Sequence, residues 1–360
     1  MPGDVGSFHV TNLPSNLSHD VIDTLCTFHR TEFGTIADLF SVRRDFEMFC
    51  ILGKNFPDVC EDYELSHAIP TYLIKLSVRA LFEDCCLEFI PQLMGQNCQL
   101  RSLVVKECSL SYESLEELSQ CCPLLEELCF GGFPEDENHD DDVPFPNVSF
   151  PKLKCLYILN LSYIVIDDCV SELTKYGLLQ QVTIRPLSFA PLLDLLIRNP
   201  DLTHLNFMCI LDMDSLTKLT EDGLPPLPHL ETAVITLNFN GDVEWESGSY
   251  DMLKKLVWPN LKSLTFGYYS GGSTFVAISD FGLSYSGLLY SITYLSLHHM
   301  QLYDEIICPQ LEELVLNDIS FVNEQAKFRV GSSFKSLTIK DAKTDPGKVV
   351  SSNIKMIRPL

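Results

Sequence analysis

Paired imidazoles, a run of carboxylates and abundant thiols are the residues of this chain that could carry chemistry. His298 and His299, with Tyr303 close behind, offer ring nitrogens for a metal or a proton relay. The segment around them alternates as a strand does, so adjacent side chains should point to opposite faces and not share one ion. Residues 135–142 read Glu-Asp-Glu-Asn-His-Asp-Asp-Asp, with six carboxylates. They lack the Asp-x-Asn/Asp-x-Asn/Asp-Gly order of a calcium loop and read instead as a solvated acidic insertion spanning 134–147. No GxxxxGK[ST], strand-borne GxGxxG, HExxH or GxSxG occurs. The expectation is therefore no catalytic residue, no metal site and no cofactor.

The 14 cysteines include the adjacent pairs Cys85-Cys86 and Cys121-Cys122, and others sit between apolar residues, such as Cys129 between Leu128 and Phe130. The opening residues MPGDVGSFHV carry no basic or apolar leader region, and no two CxxC pairs occur. We read the thiols as reduced, small core residues of a reducing compartment, cytoplasmic or nuclear. The 49 acidic and 25 basic residues give 25 − 49 = −24. A phosphate backbone or an anionic bilayer would be repelled, which argues against nucleic-acid and membrane partners. The longest run free of Asp, Glu, Lys and Arg, 281–303, is broken by Gly, Ser, Thr, Tyr and two His and is not expected to span a membrane.

What must position any functional side chain is a repeat. The hexad LxxLxL begins at Leu73, Leu100, Leu125, Leu153, Leu179, Leu202, Leu230, Leu261, Ile292, Leu311 and Phe334, eleven copies at quasi-regular spacing. Its last three apolar positions alternate as a short strand does. In six copies a proline stands two residues ahead, at Pro123, Pro151, Pro200, Pro228, Pro259 and Pro309. There it should end a preceding helix and reset the chain as extended. Helical spacing lies between strands at Leu115–Leu118, 170–176, 191–198, 216–221 and 252–257. Each unit then reads as strand, loop, helix and return, and must stack on its neighbours to bury its apolar face.

This pattern resembles the leucine-rich-repeat family, and the Cys-Pro-x-Leu-Glu-Glu-Leu form at 122–128 and 308–314 is similar to the branch found in F-box proteins. The resemblance covers about 73–340 and implies an α/β solenoid, a curved horseshoe with a concave parallel sheet and convex helices. The solenoid is expected over 61–343, after a flexible N-terminus at 1–12 and a helical module at 13–60, with 344–360 as a C-terminal cap or tail.

The module at 13–60 resembles an F-box, which docks onto the Skp-type adaptor of cullin ubiquitin ligases. Leu13, Pro14, Leu17, Val21 and Ile22 match its opening, and Val42 and Phe46 match its later valine and aromatic. Leu25, Ile36 and Leu39 complete the apolar faces. The resemblance implies a substrate-recognition subunit that is not an enzyme, with a Skp-type adaptor and cullin ligase as partners and an unknown protein target. The alternative is that these helices only cap the first repeat and that the chain is a scaffold or inhibitor without a ligase connection.

Residues between the apolar strand positions face the concave side. There Arg79, Lys106, Tyr157, Arg185, His204, Asn206, Tyr294, His298, Asn317 and Lys340 are the expected target-binding residues. They predict a strip less acidic than the convex back. Two long connections, 238–249 with Trp245 and 267–291 with Tyr268, Tyr269, Gly271 and Gly272, are candidate secondary contacts.

Overall fold

A recurring turn launches the strands. The N–H of the first hexad residue donates to the carbonyl three positions back: Leu125 to Cys122 (3.2 Å), Leu153 to Phe150 (3.2 Å), Leu202 to Asn199 (3.4 Å) and Leu261 to Trp258 (3.1 Å). Leu230, Leu311 and Phe334 repeat the bond to Leu227, Cys308 and Gly331, at 3.3 Å each. The six prolines occupy the second turn position, whose backbone φ is the one that a pyrrolidine ring already fixes. Their spacing from the leucine is thus turn geometry, more than a helix stop. The first turn residue is buried in all seven cases. At Gly331 a Cβ would stand 1.9 Å from the Pro309 carbonyl oxygen of the preceding turn, so only glycine fits.

The computed structural model describes residues 47–52, 74–80, 98–106, 109–132, 147–159, 167–211, 223–239, 258–269, 287–302, 305–321, 326–340 and 354–356. The described elements group into two compact units, the first ending at Ile164 and the second beginning at Val165. Twelve strands run in parallel ladders, five in the first unit and seven in the second.

The first unit contains β1 (Glu47–Leu52), β2 (Lys75–Ala80), β3 (Ser102–Lys106), β4 (Glu127–Phe130) and β5 (Cys155–Leu159), paired in chain order. Helix α1 (Tyr112–Cys121) follows β3; the Ser111 hydroxyl caps it by accepting from the Ser114 N–H at 3.1 Å, and Leu115 and Leu118 face the core. In the second unit, β6 (Gln181–Ser188), β7 (His204–Leu211), β8 (Thr232–Phe239), β9 (Ser263–Tyr269) and β10 (Tyr294–Leu302) pair in order. The ladder continues through β12 (Glu313–Phe321) and β14 (Ser336–Lys340). Helices α2 (Asp167–Leu173) and α3 (Phe189–Arg198) match the helical spacing expected at 170–176 and 191–198. The segments 216–221 and 252–257 lie outside the described residues.

All eleven hexads carry a strand of these ladders, and from the second hexad to the tenth their three apolar positions are at most 3% exposed. Successive repeats are tied by a shared acceptor. The Glu126 and Glu127 N–H groups both donate to the Arg101 carbonyl (2.7 and 2.9 Å), and Glu231 and Thr232 do the same to Thr203 (2.8 and 3.1 Å). At that position charges alternate across strands: Glu126 sits between Arg101 (2.6 Å) and Lys154 (2.7 Å), Lys262 pairs with Glu231 (3.1 Å), and Lys335 with Glu312 (2.6 Å).

Two expectations need correction. Residues 47–52, assigned to the N-terminal helical module, form strand β1. Their register sets Met48 against Leu76 and Cys50 against Val78, so methionine and cysteine stand where a leucine pattern looks for leucine and valine. The return segments of the last repeats are strands and not helices: β11 (Glu305–Cys308), β13 (Lys327–Val330) and β15 (Ile354–Met356), the last from the expected tail, form a second parallel sheet. The hexads at 292, 311 and 334 are among the most closely spaced of the series. A strand advances about 3.3 Å per residue against about 1.5 Å for a helix, so it closes a short repeat with fewer residues.

Candidate functional site

The expected target-binding residues with described side chains fall on the face of the parallel ladders opposite the core, because they alternate with the buried hexad positions. In the first unit, Arg79 and Lys106 are register partners at the ends of β2 and β3, with side chains outside the described residues. Tyr157 on β5 is half-buried; burial first, then the neighbouring Cys155 and Glu127, pushes its phenol up to about 12, so it stays a neutral donor. Beside it on the same face the Ser102 hydroxyl donates to the Glu127 carboxylate at 2.6 Å.

The second unit brings the other seven residues into one strip running from β6 to β14. At its β6 end, Arg185 Nε and Nη2 both donate to Asn206 Oδ1 (3.2 and 2.6 Å). The strand register slips between Ile184 and Leu187, directly after the regular alternation that places Arg185 outward. The guanidinium is half-buried, and desolvation draws its pKa below the usual arginine value. His204, at the start of β7, is exposed with Nδ1 2.9 Å from the Thr203 hydroxyl. Tyr294 starts β10, in register with Ser263 and Glu313.

At the other end, His298 is held between two neighbours. Asn317 Nδ2 lies 3.2 Å from its Nδ1 and Ser296 Oγ 2.8 Å from its Nε2. An amide N–H₂ can only donate, so in this orientation Nδ1 is the acceptor, the proton rests on Nε2, and the imidazole is neutral. Burial, then the charges of His299 and Lys340, hold its pKa below the usual histidine value. Gly267 makes the room: a Cβ there would lie 2.6 Å from the His298 Cβ.

The paired histidines do not follow simple strand alternation. His299 adopts φ 53° and Asp318 on the next strand φ 50°, so both strands leave extended geometry at the same level. His299 Nδ1 lies 3.4 Å from Asp318 Oδ2, with the two imidazoles 6.5 Å apart. Among the described residues no three His, Cys, Asp or Glu side chains are placed to share a metal ion.

The strip is poor in carboxylates. Reading the outward positions from β6 to β14 gives Gln181, Thr183, Arg185, His204, Asn206, Met208, Ile210, Thr232, Val234, Thr236, Asn238, Ser263, Thr265, Tyr294, Ser296, His298, Glu313, Val315, Asn317, Ser336, Thr338 and Lys340, with Gly267 among them. Among these positions Glu313 is the one carboxylate and Arg185 and Lys340 the fixed cations; the Asp318 carboxylate, at the break in alternation, lies by His299. Arg185 and Asn206 as a pair, and His298, Asn317 and Lys340 as a cluster, are candidates that the structure brings together. The sequence pattern does not single out Ser296 or Gly267 as part of that cluster. The available signal is strand parity for Ser296 and register with His298 for Gly267.

Among the described residues no disulfide forms, and six of the eight described cysteine side chains are buried. The adaptor-binding candidates, Leu13 through Phe46, lie outside the described residues, as do 134–146 of the acidic insertion and most of both long connections; Tyr268 and Tyr269 belong to β9. No described helix is long and apolar enough to cross a membrane. No family model matches the chain, and no curated protein matches it either. Fold and face define a class: an α/β protein built on a large parallel sheet.

Proposed function

We propose that this chain is a leucine-rich-repeat protein that recognises a protein target on the open face of its parallel ladders. The observation that supports this best is the strip from Arg185 to Lys340, polar and hydroxyl-rich with side chains already positioned by neighbours, on a chain with 49 acidic against 25 basic residues. Hydrogen-bonded anchors lose less freedom on binding than loose ones do.

The resemblance of the module at 13–60 to an F-box extends the reading to a substrate-recognition subunit of a cullin-based ubiquitin ligase. The mechanism is then proximity: the repeats hold the target while the N-terminal module holds the Skp-type adaptor, raising the effective concentration of target at the charged enzyme. The deciding experiment is co-purification of the full chain with a Skp-type adaptor, repeated with Leu17→Asp and Val21→Asp. Retention by the parent chain and loss in both variants supports the ligase reading; failure of the parent to retain the adaptor removes it. A scaffold without ligase connection is the second reading, favoured by β1, since the residues directly after Phe46 are built into the sheet as a cap requires.

A further inference from the structure

The electrostatics of the strip point to the kind of partner. Of the twelve described lysine and arginine side chains, eight lie within ion-pair distance of a carboxylate: Arg101, Lys154, Lys175, Arg198, Lys262, Lys327, Arg329 and Lys335. Arg185 and Lys340, the cations of the open face in the second unit, have no such partner among the described residues. In a chain with 49 acidic residues, this is not for want of carboxylates.

Arg185 is also organised. Two of its five donors converge on the neutral Asn206 Oδ1, which fixes the guanidinium plane without neutralising it. A half-desolvated guanidinium with donors to spare suits a carboxylate arriving from outside, which it grips with two parallel hydrogen bonds. Lys340 is exposed at the far end beside His298, whose neutral ring adds no competing charge.

Between the two poles lie Thr236 and Thr265 on the same face, and Thr338 stands beside Lys340 on β14. Hydroxyls can meet the unpaired N–H and C=O groups of an extended chain, whereas a helix has already satisfied its own. From β6 to β14 there are six strand steps, about 29 Å at ~4.8 Å each, which an extended segment spans in about nine residues.

We infer that the open face of β6 to β14 binds an extended acidic segment of a partner protein, one carboxylate forked on Arg185 and a second beside Lys340. This rests on the reading of that face as protein-binding and not on the ligase connection.

The test pans a phage-displayed library of random twelve-residue peptides on the full chain. Enriched sequences should be rich in Asp and Glu, commonly with two acids seven to nine positions apart. A synthetic peptide from that pool should bind about tenfold or more weakly to Arg185→Gln, less weakly to Arg185→Lys, and more weakly as salt is raised. Circular dichroism melts of both variants matching the parent would establish that folding is intact. Recovery of no binders, a pool without acidic enrichment, or unchanged affinity in a folded Arg185→Gln overturns the inference. So does displacement of the selected peptide by a single-stranded oligonucleotide at equal affinity, which would make the face a general anion site. Acidic binders with no adaptor retention would leave this inference standing and remove only the ligase reading.

Discussion

Asn199 shows how a single buried amide holds two repeats together. It is fully buried at the C-terminus of α3 and is the first residue of the turn into β7. Its Oδ1 accepts from the Leu179 N–H at 2.9 Å, at the start of the preceding hexad, and its Nδ2 donates to the Leu195 carbonyl at 2.8 Å. Asn199→Ala removes both. The Leu195 carbonyl keeps the Asn199 backbone N–H at 3.1 Å, whereas the Leu179 N–H is left buried without an acceptor. Two hydrogen bonds at about 1 kcal/mol each, with a further desolvation penalty for the orphaned donor, give a destabilisation of about 2–4 kcal/mol. In a unit of this size that lowers the melting midpoint by roughly 5–15 °C. Urea titration followed by circular dichroism measures it directly. Asn199→Asp sharpens the test, because it keeps the acceptor for Leu179 but turns a negative oxygen toward the Leu195 carbonyl. The protonated acid can donate there and the ionised one cannot, so its folded pKa is raised above the unfolded value and the native state binds more protons. Stability of the aspartate variant must therefore fall, relative to the parent, as pH rises through the carboxylate range. A cost below about 1 kcal/mol for the alanine variant would refute the bridging role, as would parallel pH profiles for parent and aspartate variant.

Other outcomes follow from the same geometry. With its pKa lowered by burial, His299 and Lys340, His298 binds fewer protons folded than unfolded, so stability falls as pH drops below the ordinary histidine value of 6.5. His298→Gln should flatten that limb, and an NMR titration of the ring should give a midpoint under 6.5 that moves up in Lys340→Ala. Gly267→Ala forces a methyl into the His298 Cβ and should cost about 1–3 kcal/mol by overpacking, measured by chemical denaturation. Thr174 is 1% exposed and its hydroxyl has no partner among the described residues, so Thr174→Val should be neutral or stabilising by up to about 1 kcal/mol in the same assay. Burial lifts the Cys308 thiol to about 12, and it should resist iodoacetamide in the native protein and react only on unfolding, as site-resolved mass spectrometry would show.

The path from sequence to fold is direct wherever burial and backbone geometry demand a residue type. A strand with one face in the core must alternate, so the leucines of each hexad announce each of the eleven strands. A turn whose second residue needs the φ of a pyrrolidine ring accepts proline, which makes six of the boundaries visible. Where the demand is only for something apolar of the right size the signal weakens. Met48 and Cys50 fill the register positions of Leu76 and Val78, so β1 carries no leucine signature and reads as part of the helical module before it. In the short final repeats, four-residue segments such as Glu-Ile-Ile-Cys carry too little period to distinguish helix from strand.

The candidate face divides along similar lines. Arg185, Asn206, His298, Asn317 and Lys340 can be placed outward by parity alone, because in a strand every second residue shares a face. That Arg185 spends two donors on an amide, that Asn317 donates to His298 Nδ1, and that Gly267 clears space beneath the ring depend on partners a whole repeat away in the chain. Such contacts are set by register between strands, and no local pattern encodes them. The sequence by itself determined the repeat, the buried positions and the excess of negative charge, since each follows from residue type and periodicity. Only the tertiary structure decided which cations go unpaired, because pairing depends on which side chains the stacked repeats bring close enough to meet.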